Sequence, residues 1–262
     1  MSMMKSLARV AAGVMLAKGI GAVMQNRQQG GATGTGGTSG AAQGGLLGSI
    51  LGGAGGGSLT KALGNRSGGA GSLGGLLDSL GGGRGGAAAG GLGAVLGGLV
   101  GGSATAGELS QKGAQPRNDA TFGALFDDAI SHDDEPQVAP TPEQNAVAAL
   151  MLRAMIQAAK SDGHVDDAEK QRLLSHLGDL DEDERNFVRE QMSRPVDARD
   201  LARDVPEGLE KQVYLMSLLA IDFDSEAEAR YLNDLAEAMG LDRTTVNEIH
   251  AEAGVMPLYS RG

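Results

Sequence analysis

The sequence predicts an all-α bundle of about six to seven helices over residues 141–262, preceded by a glycine-rich half. Three observations predict this fold. Apolar residues recur at helical spacing through the second half, and no alternating strand pattern competes with them. Capping residues precede these apolar segments, and glycine follows several of them. Roughly 120 residues are enough to support one hydrophobic core.

Glycine and charge divide the chain into two unlike halves. Of its 44 glycines, 34 lie between Gly30 and Gly113, far above the usual share of about 7%. Residues 1–117 carry nine basic and two acidic residues, a net charge of about +7, whereas residues 118–262 carry 13 and 31, about −18. Such asymmetry indicates that the two halves work in different surroundings.

The composition also excludes several classes of site. The chain has no cysteine, so disulfides, zinc–thiolate sites and cysteine nucleophiles are excluded. The four histidines show no HExxH spacing, which argues against a zinc hydrolase. The acidic second half would repel phosphates, and we therefore expect no nucleic-acid partner.

Residues 1–29 form an amphipathic or hydrophobic N-terminal segment, "KSLARVAAGVMLAKGIGAVM" at its centre. Its start resembles a signal peptide, but Lys18 interrupts the apolar run and no convincing cleavage site follows. On a helix, Leu7, Val10 and Val14 share a broad face with basic residues at its edge. Two interpretations stay open: a helix on an anionic membrane surface, or a short helix that packs on the rest of the protein.

Residues 30–107 form a glycine-rich tract with a loose repeat, as in "LGGLLDSLGGG". Ordering glycine is entropically costly, so we expect most of this tract to be a flexible linker. Residues 85–107 carry no charge over some twenty residues, near the length that spans a bilayer. We therefore expect membrane association within residues 1–107; a glycine-rich half that drives homo-oligomerisation is an alternative.

Residues 108–140 are predicted to be an acidic linker with one short helix at "ATFGALFDDAI". From residue 141 onward the helices follow closely. Thr141, Pro142 and Gln144 form a capping box before a strongly apolar helix, which we expect to be central. The later helices are predicted at residues 166–178, at "DEDERNFVREQMS", at "DARDLARD", from Pro206, after Ser225 and after Asp242.

A weak internal repeat places two acidic corners in this half. "AAKSDGHVDDAE" and "LLAIDFDSEAE" each read as an apolar helix, an acidic corner and the start of an amphipathic helix. Two such helix hairpins commonly pack around a pseudo-twofold axis, and we expect that packing to bring the corners together. Helix capping explains Asp166 with Glu169 and Ser225 with Glu228. It does not explain the acidic residues between the helices, Asp162, Asp222 and Asp224.

These paired runs, at Ala159–Glu169 and Leu218–Glu228, resemble the tellurite-resistance TerB-like fold. The variant with "QVYLMSLLAIDFDSEAEARYL" and a glycine-rich N-terminal half resembles the YebE-like family of bacterial proteins, for which no biochemical activity is established. In TerB-like domains the acidic corners are thought to hold a divalent cation. Carried over by motif position, the resemblance implies the metal ligands Asp162, Glu169, Asp222, Asp224 and Glu228.

The chemistry of these residues fits calcium or another hard cation, because carboxylates are the ligands present in number. The sequence thus favours a non-enzymatic, membrane-associated protein whose acidic domain binds protein partners and a divalent cation, with a role in stress response as the expectation. Two alternatives stay open: a metal-assisted hydrolase that uses the same carboxylates, and a soluble self-associating scaffold. The expected location is the bacterial inner membrane with the acidic domain in the cytoplasm, or else a soluble cytoplasmic protein.

Overall fold

Every regular element in the described part of the chain is a helix, which confirms the all-α prediction. The structure is a computed structural model that describes residues 2–12, 72–81, 109–161, 181–221 and 225–260. The helices are α1 over residues 3–12, α2 (Leu73–Leu80), α3 (Phe122–His132), α4 (Pro142–Ala159), α5 (Glu182–Ser193), α6 (Ala198–Asp204), α7 (Glu210–Leu219), α8 (Glu226–Ala238) and α9 (Arg243–Glu252).

Helix α4 is the centre of the fold, as its apolar sequence predicts. It begins at the expected capping box, in which Thr141 Oγ1 accepts from the Gln144 backbone N–H at 3.3 Å. In return the Thr141 N–H donates to Gln144 Oε1 at 2.8 Å. Every residue from Asn145 to Ala158 is buried, and α7, also apolar on most sides, packs along this helix.

The predicted boundaries hold for several other helices and fail for one. Ser225 and Asp242 cap α8 and α9 as expected. Helix α7, however, begins at Glu210 rather than at Pro206. Gly208 adopts a left-handed φ of +94°, which no helix tolerates, and its N–H donates to Glu210 Oε2 at 2.8 Å. The chain therefore turns after Pro206 before the helix starts.

The packed core takes in residues that precede the predicted boundary at residue 141. Met4 and Leu7 of α1, Leu77 of α2 and Phe126 of α3 are each at most 2% exposed. Residues 73–80 form a helix within the glycine-rich tract, of which most is expected to be linker, and α3 confirms the short helix expected within residues 108–140. The apolar faces of these short helices thus belong to the same core as the later helices.

None of the described helices is both long enough and apolar enough to cross a bilayer. The candidate membrane segment at residues 85–107 lies outside the described residues, as does the predicted helix at residues 166–178.

Candidate functional site

Only one of the five predicted metal ligands falls within the described residues. Asp162, Glu169, Asp222 and Asp224 lie outside them. Glu228 is buried in the first turn of α8, where its Oε2 accepts the Ser225 N–H at 3.2 Å and its own N–H donates to Ser225 Oγ at 3.1 Å. Its role as a helix cap is thus confirmed. Within the described ranges, no three acidic or histidine side chains form a group that could hold a metal ion.

The helices that lead into the two acidic corners are firmly placed. Helices α4 and α7 pack on each other along the centre of the fold. Just before the first corner, the Lys160 ammonium donates to the carbonyl oxygens of Gln191, at 3.2 Å, and Arg194 at the end of α5. Just before the second corner, Ile221 is buried in the core. The packing fixes the approach to each corner.

A second arrangement joins the glycine-rich half to the acidic half. Helices α2 and α3 pack against each other, and both begin with the same pattern of a hydroxyl residue, any residue, Gly, three residues and Asp. In α2 the pattern is "SLGGLLD", residues 72–78; in α3 it is "TFGALFD", residues 121–127. Ser72 and Thr121 are the N-caps of their helices, because each side-chain oxygen accepts a backbone N–H of the first turn.

The two patterns bind each other reciprocally. Asp78 of α2 accepts the Gly123 N–H at 3.0 Å and the Thr121 hydroxyl at 2.6 Å. Asp127 of α3 accepts the Gly74 N–H at 2.8 Å and is hydrogen-bonded by the Ser72 side chain. Each aspartate therefore binds the N-terminus of the opposite helix, where the backbone N–H groups lack helical partners and the macrodipole favours negative charge. The arrangement is approximately two-fold symmetric.

Glycine is required where these two helices cross. A Cβ atom on Gly74 would lie 2.0 Å from the Gly123 carbonyl oxygen, and a Cβ on Gly123 would lie 2.0 Å from the Gly74 carbonyl oxygen. Burial of the half-buried Asp127 raises the pKa of its carboxyl, although the hydrogen bonds from Ser72 and Gly74 act in the opposite direction. Sequence reasoning missed this pair, although the repeated pattern was the signal that could have revealed it.

Helix α1 is also held by the acidic half of the chain. The Ser2 N–H and hydroxyl donate to the two carboxylate oxygens of Glu135 at 2.6 and 2.5 Å. The Lys5 ammonium pairs with Asp134 at 2.6 Å, and this hydrogen bond holds the pKa of Asp134 below its usual range. The Ser6 hydroxyl donates to Glu184 of α5 at 2.9 Å. Residues 2–12 therefore follow the second of the two expectations for this segment, a helix packed on the protein.

Inside the fold, Arg153 ties α4 to α6. Its side chain is 2% exposed and pairs with Asp200 at 2.7 Å and with Asp204 at 2.5 Å. Two aspartates on successive turns of α6 thus neutralise a cation that the apolar α4 would otherwise bury alone. Helices α6 and α8 pack on each other, and an open groove of about 660 Å³ lies between them; its lining residues are Asp197, Arg199, Ala202, Arg203, Asp234, Glu237 and Ala238.

These contacts show what the described residues do chemically. They cap helices, pair charges and hold two short helices, α1 and α2, that come from distant parts of the sequence. Lys5 is 129 positions from Asp134, and Gly74 is 53 positions from Asp127. The arrangement is therefore suited to docking helices onto the acidic half.

Comparison with known protein families gave one match. A family model with the description "Protein of unknown function (DUF533)" matches residues 64–253, a range that begins before α2 and ends after α9. The family match therefore includes α2 together with the later helices, which agrees with the packing of α2 on α3 and α7. The comparison with curated proteins and the comparison with solved structures gave no match.

Proposed function

Because the chain belongs to the DUF533 family of proteins of unknown function, we propose a function from its own geometry: a non-enzymatic, membrane-associated protein whose acidic helical domain docks short helices. The observation that carries this proposal is the α2–α3 pair. A helix from the glycine-rich tract sits on the acidic domain through four reciprocal contacts to two aspartates. A domain that takes up helices from distant parts of the sequence is a binding module.

The contacts of α1 support the same role by a different chemistry. Here apolar side chains, Met3, Met4 and Leu7, enter the core, while Lys5 and Arg9 meet Asp134 and Asp133 at its rim. An apolar face flanked by bases on one side, and a pocket rimmed by acids on the other, are complementary in both shape and charge. The acidic domain therefore recognises basic amphipathic helices as well as the glycine–aspartate pattern.

Membrane association is proposed for the parts of the first half that α1 and α2 do not use. The uncharged residues 85–107 follow α2 in the sequence, and residues 13–71, between α1 and α2, carry four basic residues and no acidic one. Basic segments are attracted to anionic bilayer surfaces. The acidic domain would be repelled by the same surface, so that it stands off from the membrane and presents its docking sites to the cytoplasm.

The resemblance to YebE-like proteins with a TerB-like domain adds a metal site to this proposal. It implies that the two acidic corners together bind a divalent cation such as calcium. One point supports this site: the residues that capping leaves unexplained are carboxylates, the ligands that hard cations prefer.

Cell fractionation tests the membrane role directly. Membranes from cells that express the native chain are washed with high salt and, separately, with alkaline carbonate. The proposal predicts that the chain sediments with the membrane fraction; release by salt would identify a surface contact, and resistance to carbonate an inserted segment. Recovery of the chain in the soluble fraction before any wash would contradict membrane association and favour the soluble scaffold instead.

A further inference from the structure

We propose that α2 of one copy of this chain docks on α3 of a second copy, so that the α2–α3 pair is also a self-association surface. This inference rests on the proposed helix-docking role and names one of its partners. The partner's recognition element is the seven-residue pattern at residues 72–78.

A second copy of the chain can supply either α2 or α3 of the pair. Each helix offers a capped N-terminus, a glycine that permits close approach and an aspartate five positions after its own first helical residue. The polar contacts between the two helices come from Gly74, Asp78, Gly123 and Asp127 with the two N-cap residues, and Leu77 adds an apolar contact with the core. An α2 from another molecule makes the same contacts, which is the condition for exchange of an element between identical chains.

A further contact of α2 is equally transferable. Gln212 of α7 donates through Nε2 to the Leu77 carbonyl oxygen near the C-terminus of α2, and α7 belongs to the same acidic domain as α3. An isolated helix of eight residues is marginally stable in water, so α2 depends on its contacts with α3 and α7. The α3 and α7 of a second copy offer the same contacts.

The connections on either side of α2 are long enough for the exchange. Residues 13–71 precede it, and 27 residues separate Gly81 from Leu109, of which twelve are glycine. At a maximum of about 3.3–3.6 Å per residue, 27 residues reach on the order of 90 Å. Because α2 and α3 belong to one chain, their pairing within a copy has a raised effective concentration, so the closed monomer competes with the exchanged dimer in dilute solution.

Two matched variants remove that competition. Gly74→Val blocks α2 and leaves α3 intact, whereas Gly123→Val blocks α3 and leaves α2 intact, because each new side chain would collide with the opposite backbone. Neither variant alone can form an α2–α3 pair, within or between copies. In a mixture, α2 of the Gly123→Val chain and α3 of the Gly74→Val chain remain a competent pair. The two purified chains, differently tagged, are mixed and measured by light scattering and native mass spectrometry.

The expected result is a 1:1 heterodimer of about 53 kDa, twice the mass of the 26.5 kDa chain, with each variant monomeric by itself. A mixture that stays monomeric at about 100 μM, or homodimers of either variant alone, would overturn the inference. Should the valine chains fail to fold, Asp78→Asn and Asp127→Asn provide the same complementation with milder changes. Hydrogen exchange at Leu76 and Leu77 of the wild-type chain separates the two proposals: protection without a heterodimer rejects only the exchange, whereas no protection rejects helix docking itself.

Discussion

Gly74 and Gly123 face each other where α2 crosses α3, so close that a Cβ on either would lie 2.0 Å from the carbonyl oxygen of the other. This crossing explains how a glycine-rich segment forms a stable helix. Glycine within a helix costs about 1 kcal/mol relative to alanine, but here it lets two backbones approach so that each aspartate reaches the opposite helix N-terminus. Several consequences can be measured.

The first prediction concerns the free energy of unfolding. Gly74→Val should destabilise the chain by about 1–3 kcal/mol, because the added side chain overpacks the crossing, even though valine is the better helix former. Ser79→Val is the matched control, since Ser79 is exposed on the same helix. Urea denaturation of both variants checks the prediction. Equal stability of the two would show that α2 does not pack on α3.

The second prediction concerns the ion pairs of Arg153. Arg153→Met should lower stability by about 1–3 kcal/mol, because the two aspartates lose a charged donor while the apolar part of the side chain is kept. Asp204→Asn should cost more than Asp200→Asn, since the Asp204 side chain is 22% exposed and that of Asp200 is 44% exposed and also bonded to Arg203. Thermal melts of the three variants establish the order. The reverse order for the aspartates would contradict the geometry.

The third prediction is a pH dependence set by His250. This side chain is fully buried, its Nδ1 lies 2.6 Å from the Met256 carbonyl oxygen, and its Nε2 lies 2.9 Å from the Tyr214 hydroxyl. Burial lowers the pKa of His250 below its ordinary value of 6.5. The unfolded chain therefore binds a proton more readily than the folded chain, so this stability is complete above pH 6.5 and is lost as the pH falls towards the folded pKa.

Melting temperatures between pH 7.5 and 5.5 test this assignment. His250→Gln should lower stability at pH 7.5 and flatten the pH dependence, because the buried imidazole is removed. If His250→Gln leaves the slope unchanged, His250 does not set the pH dependence of stability.

The fourth prediction concerns the acidic corners. A divalent cation bound only by the folded chain should raise its stability by about 2.7 kcal/mol at one hundred times the dissociation constant. Asp162→Asn combined with Asp222→Asn should abolish that gain, while Glu182→Gln, in the first turn of α5, serves as the control for a lost acidic charge. Melts of the full chain with calcium, magnesium, manganese or chelator decide the matter. If no cation at millimolar concentration shifts the wild-type melt, the corners are not a cation site.

Local chemistry made most of the helix boundaries predictable. The capping boxes at Thr141 and Ser225 and the N-cap at Asp242 are set by residues three positions apart, so the sequence reveals them directly. The start of α7 was wrong because a single left-handed residue, Gly208, overrides the helix signal of Pro206. Helix α2 was missed for a different reason: composition predicts its linker character, while its partner Gly123 lies 49 positions away and only a long-range contact stabilises it.

The candidate sites differ in the same way. Packing of α1 on the protein was one of two open expectations. Its contacts with Asp133, Asp134 and Glu135 decide between them for residues 2–12. In the sequence these three acids indicate only an acidic linker. The metal ligands come from a family resemblance, and of the five only Glu228 has a described position. Its capping role was predictable because both partners lie within one helical turn.

Helix docking, the central claim, is tested most directly by hydrogen exchange of α2 in a chain whose α2 sequence is unchanged. Gly123→Val alters only α3, with Ala124→Val, at the exposed neighbouring position, as control. The account predicts that the amides of Leu76 and Leu77, which donate within α2 in the wild-type chain, lose their protection in dilute Gly123→Val and keep it in Ala124→Val, because α2 is too short to persist alone. Protection of α2 that survives Gly123→Val would contradict the claim that α3 holds it.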